Sequence, residues 1–222
     1  MTQFNKNQVY LDWGRQGALE LVNSVDTIVI ADALGGCMAA EMAAEVDNAC
    51  LWAQYRQAIS GSALFAELDR WDQPVFMVSL RNMAATAEYL QQGFGKIGVV
   101  AVGDQWPDQS CRQNIEDYLT AGGFICELGK PHVSPQAELA RSVFASQRYS
   151  LKRLILGTEK ARTAAQNCGA DIVNQATEIN SGEFPVIFDQ GEIIQVTEPN
   201  VKIRKHSKQH LKGVVVGQGK KE

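Results

Sequence analysis

The chain has 222 residues, 45% apolar and 21% charged, with a formal net charge of −4. That composition suits a soluble globular protein able to bury a substantial core in one large domain, and it excludes fibrous and wholly disordered classes. No apolar run reaches the ~18 residues needed to cross a bilayer, and the opening MTQFNKNQVY lacks a signal-like apolar segment, so a cytoplasmic protein is expected.

The charge is unevenly distributed. Thr197 to Glu222 holds seven basic residues against two acidic ones, +5, which leaves −9 on the body of the chain. An acidic body repels polyanions, so neither nucleic acid nor a membrane surface is an expected partner. The five cysteines, at 37, 50, 111, 126 and 168, are scattered and form no C-x-x-C. That pattern predicts reduced, buried or idle thiols rather than a disulfide or metal framework.

In chain order, Val9 to Leu11 reads as a strand, Gly17 to Val22 as a helix, and Thr27 to Ala31 as a strand buried on both faces. Gly35-Gly36 makes a loop before the helix-favouring MAAEMAAE, residues 38–45. Ala49 to Trp52 reads as a third strand, and Pro74 to Val78 as another that begins at a proline. Asn82 can cap a helix over Met83 to Gln91, and Lys96 to Val102 is the next strand.

Ser110-Cys111-Arg112-Gln113 has the form of a capping box and predicts a helix running to about Glu127. Its apolar stripe is Ile115, Tyr118, Leu119, Gly122, Ile125 and Cys126. Ser134-Pro135 starts another helix, followed by helices over Leu151 to Leu156 and Glu159 to Ala176. A short hairpin over Pro185 to Val196 turns at Gln190-Gly191. Together these predict a single α/β domain over residues 1–196. It has a mostly parallel sheet covered by helices, a helical carboxyl half and a short terminal hairpin. Residues 197–222 read as a basic, flexible tail.

The stretch from Gly103 to Asp117 is the most informative. It places a turn, a helix start and several charged side chains directly after an apolar strand, where α/β proteins carry ligand sites. No phosphate-cradling glycine motif, nucleophile elbow or HExxH occurs, and His132 is the only histidine of the body, in a loop that suits an ordinary surface residue. Carboxylates with a hard cation remain as chemistry. Asp32 ends a buried strand, where it can hold Mg²⁺, orient a phosphate or merely cap the helix after it; Asp12 has the same reading. Arg112 and Glu116, four apart on the predicted helix, can form a surface pair, while Asp117 projects opposite the apolar stripe and faces either solvent or something other than the sheet. His206 and His210 in the tail could bind a metal if helical, though a solvated arm suffices.

Several segments occur in a recognisable order: VYLDWGRQGA (9–18), VIADAL (29–34), SLRNMAATA (79–87), VVAVGDQWPDQSCRQNIEDYLTAGGFI (99–125), VSPQA (133–137) and CGADIVNQA (168–176). Together they resemble the 2-phosphosulfolactate phosphatase family, Mg²⁺-dependent enzymes of the coenzyme M route. Asp12, Asp32, Asn82, Asp108, Ser110, Arg112, Glu116 and Asp117 match the family pattern. The departures are specific too. Where the family has D-V-L-R this chain has Asp32-Ala33-Leu34-Gly35, and the glycine- and asparagine-rich pocket stretch before the S-x-x-N segment is missing.

The resemblance implies a phosphatase-like hydrolase for a small anionic phosphate ester. Asp32, Glu116 and Asp117 would hold Mg²⁺, with Asp32, Asp117 and Arg112 as catalytic groups and Asn82, Asp108, Ser110 and Arg112 on the substrate. The missing arginine and pocket stretch point equally to a silent relative kept for binding or assembly. The tail's charge suits an acidic surface of the same or a neighbouring subunit, which leaves a homo-oligomer open.

Overall fold

The computed structural model describes residues 9–45, 49–68, 70–93, 95–189, 192–197 and 214–216. Two α/β steps open the chain. Strand β1 (Val9–Trp13) leads into α1 (Gly14–Val22), and β2 (Thr27–Ala31) into α2 (Gly36–Glu45), α3 (Ala49–Gly61) and the short α4 (Phe65–Leu68). Strand β3 (Val75–Val78) is followed by α5 (Met83–Gln91), and β4 (Ile97–Ala101) by a small ribbon of β5 (Asp104–Gln105) and β6 (Cys111–Arg112). The helical half comprises α6 (Ile115–Leu128), α7 (Pro135–Gln147), α8 (Leu151–Leu156), α9 (Glu159–Cys168) and α10 (Ala170–Ala176). The hairpin of β7 (Val186–Asp189) and β8 (Glu192–Gln195) comes next, then β9 (Val214–Val216).

The main sheet has the order β1-β4-β2-β3-β7-β8-β9. Its first four strands run parallel, and the hairpin and β9 extend it antiparallel from β3. The expected α/β fold with parallel strands under helices on both faces is thus the observed one. Strands β2, β3 and β4 are buried throughout, as continuous apolar runs covered on two sides must be. Alternate residues feed two cores. Val29, Phe76 and Val99 pack with α5, α6 and α7, while Ile28, Ile30 and Met77 pack with α1, α2 and α4.

Three local expectations give way. Ala49 to Trp52 begins a helix, not a strand, and buries Leu51 and Tyr55 one turn apart. The capping box at Ser110 does not start α6: Cys111 and Arg112 pair with β5, and the cap is Asn114, whose side chain accepts the Asp117 N–H. The helix predicted over Glu159 to Ala176 breaks at Gly169, where φ is +94°. Of the segment after Val196, Val214–Val216 forms the outer strand on β8. His206, His210, the tail's basic residues and the Gln190-Gly191 turn lie outside the described residues.

Candidate active-site cleft

Strand β4 lies between β1 and β2, so the chain doubles back at its carboxyl end, the place where open α/β sheets bind ligands. A cleft of ≈ 800 Å³ opens there, walled by the loop after β2, the β5–β6 ribbon, the start of α6, and helices α3 and α9. Asp104, Arg112, Glu116 and Lys160 are among its lining residues.

Asp32 follows β2 directly and is 2% exposed. Its Oδ2 accepts the Cys37 N–H at 3.3 Å, anchoring the first turn of α2, while Oδ1 faces the Lys160 ammonium at 3.3 Å. One oxygen of Asp32 thus serves the capping role, and the other accepts the Lys160 ammonium. Lys160, on the first turn of α9, also lies 3.5 Å from Asp117 and 3.5 Å from Asp104. Burial alone would lower its pKa, but Asp117, Asp32 and Asp104 outweigh that and hold it above the ordinary lysine value. No sequence motif marks Lys160. Its only signal is a lysine just after the Thr158 helix cap, a position where a cation is unfavourable without an acidic partner.

Asp117 does not project into solvent. It is fully buried, its Oδ1 accepts the Ala33 N–H, and its Oδ2 accepts both the Gly103 N–H and the Asn114 side-chain amide, each at 2.9 Å. It therefore clamps the loops leaving β2 and β4 to α6. Burial pushes its carboxyl up to about 7, against the pull of Lys160 and the N–H donors. Gly103 can meet the clamp because it has no Cβ: its φ is +70°, and a Cβ would sit 2.8 Å from the Arg112 carbonyl.

Glu116 is different again. It is 3% exposed, it lines the cleft, and among the described residues its carboxylate has no hydrogen-bond or ion-pair partner. The predicted surface pair with Arg112 is absent because the two residues lie on different elements. The Arg112 guanidinium instead stacks on the Trp106 ring, 4.8 Å from its centre. Asp108 and Ser110 form an exposed turn, the Ser110 hydroxyl donating to Asp108 at 2.6 Å, which holds the Asp108 carboxyl below its ordinary value. Neither lines the cleft. Asn82 is buried, accepts the Ser79 N–H and donates to the Met77 carbonyl, bracing the turn after β3 rather than capping α5 with its side chain. Asp12, exposed, accepts the Trp13 N–H, and His132 is a surface residue.

The three acids expected to share Mg²⁺ do not fit it as they are placed. Both oxygens of Asp117 accept N–H donors, and the Lys160 ammonium already bridges Asp32 Oδ1 and Asp117 Oδ2. Among the described residues no group of three His, Cys, Asp or Glu side chains converges as metal ligands would.

One expectation about the cysteines is overturned. Cys50, at the start of α3, and Cys168, the last residue of α9, form a disulfide with Cα atoms 5.8 Å apart, and both line the cleft. Only proximity in the fold reveals the pair, since 118 residues separate them in sequence. Cys37, Cys111 and Cys126 are free. Comparison with known proteins finds no matching family model and no curated protein of significant similarity.

Proposed function

We propose that the cleft takes a small anionic phosphate ester and that the protein is a phosphatase-like hydrolase acting without a resident metal. The observation that carries this reading is Glu116, a buried carboxylate without a partner among the described residues, lining the same cleft as the cationic groups of Arg112 and Lys160. Arg112 and Lys160 steady the phosphate oxygens. Glu116 takes a proton from a water whose oxygen attacks phosphorus; the ester P–O bond breaks and the departing alkoxide takes that proton back. Groups in this role contribute about 10²- to 10⁴-fold.

The test is phosphate release from sulfonated and carboxylated phosphate esters, in Mg²⁺ and in a chelator. Release is expected in both, with Glu116→Gln at least ~100-fold slower. Loss of all release in chelator would overturn the metal-free route, and release unaffected by Glu116→Gln would overturn the role of Glu116.

One observation favours a second reading, a catalytically silent binding protein. The cations of the cleft are already engaged, Lys160 by three carboxylates and Arg112 by Trp106. Calorimetric binding of the same esters without any phosphate release identifies this case.

A further inference from the structure

We propose that the Cys50–Cys168 disulfide is a redox-responsive strap that holds Lys160 at the floor of the cleft. Helix α9 presents Lys160 and Thr163 to the cleft, yet its only buried residues are Ala161 and Ala164. Two buried methyl groups, with Ala165 half-buried beside them, give a ten-residue helix little apolar anchorage. Gly169 then breaks the chain before α10, so the next helix does not continue its axis. The covalent tie to α3 falls at the end of α9, and α3 is anchored by the fully buried Leu51 and by Tyr55.

The bond is also reachable. Cys50 and Cys168 are half-buried and line an open cleft, unlike Cys37, which is fully buried. A small dithiol can therefore enter. Its thiolate attacks one sulfur, the Cys50–Cys168 bond breaks, and a mixed disulfide forms with that cysteine. The reagent's second thiol then displaces it. Two electrons pass to the protein, two protons end on Cys50 and Cys168, and the reagent leaves as a cyclic disulfide. Released at its carboxyl end, α9 frays from the cleft wall and Lys160 separates from Asp32 and Asp117.

Regulation of the cleft presupposes that the cleft is the working site. Lys160 accessibility does not, so failure of this proposal and failure of the hydrolase reading are distinguishable. The experiment is acylation of the full chain by an amine reagent, mapped by peptide mass, in the oxidised, dithiol-reduced and re-oxidised states. Lys152, exposed on α8, is the reference, and alkylation of Cys37 reports global opening. Lys160 labelling is expected to rise at least five-fold on reduction, to fall again on re-oxidation, and to stay high in Cys168→Ser, with Cys37 unlabelled throughout. Equal Lys160 labelling in the oxidised and reduced states overturns the proposal. So does failure of Cys50 and Cys168 to pair under oxidant, or Cys37 labelling that rises in step with Lys160.

Discussion

Adjacent residues of α6 have opposite fates, and the contrast is measurable. Asp117 is an acceptor for three N–H groups, so Asp117→Asn would set its amide donor against at least one of them and cost about 2–4 kcal/mol in urea denaturation. Among the described residues the Glu116 carboxylate has no partner to lose, so Glu116→Gln should change stability by less than ~1 kcal/mol, or raise it. If both substitutions destabilise alike, the division between clamp and cleft group is wrong. Asp32 was legible from its position directly after an apolar strand, and Glu116 and Asp117 from the charged stretch that follows β4. Their partners were not, because Lys160 lies 128 residues from Asp32 in sequence and comes to it only by tertiary packing.

Among the elements, expectation and structure part where short-range signals compete. The apolar run Ala49 to Trp52 is equally compatible with a buried strand and a helix turn, and only the room beside α2 decides for the helix. Ser110 and Asn114 are both good caps. Asn114 wins because the chain first returns through the β5–β6 ribbon, so Asn114→Ala should cost about 1 kcal/mol and Ser110→Ala close to nothing. Gly35 shows the same dependence on surroundings. A side chain there would collide with the Asp32 carboxylate, which is already fixed by Cys37 and Lys160. Gly35→Arg is therefore expected to displace Asp32 and destabilise the fold by about 1–3 kcal/mol. A thermal melt at or above that of the parent chain would refute this.

For the whole molecule, pH dependence follows from a second buried cluster. Arg81 bonds Glu41 and Glu45 together, and burial with the neighbouring Glu45 pushes the Glu41 carboxyl from 4.5 to about 7, despite the pull of Arg81. Asp117 is shifted the same way. The folded protein therefore keeps protons that the unfolded chain has released between about pH 4.5 and 7. Its stability falls as pH rises through that window, and the melting temperature at pH 5.5 should exceed that at pH 7.5. Glu41→Gln should flatten the slope; an unchanged slope would mean that Glu41 does not titrate there.

The layered α/β plan was legible in the residues alone, because apolar periodicity, glycine punctuation and helix caps are local properties written in consecutive residues. Strands β2, β3 and β4, helices α5 and α8 and the terminal hairpin lie close to where their residues predict them. Tertiary structure alone decided the strand order, the Cys50–Cys168 bond, the Asp117 clamp and the meeting of Asp32 with Lys160. Each of these joins residues distant in the chain, and no local pattern encodes a distance that only the packed sheet and helices bring about.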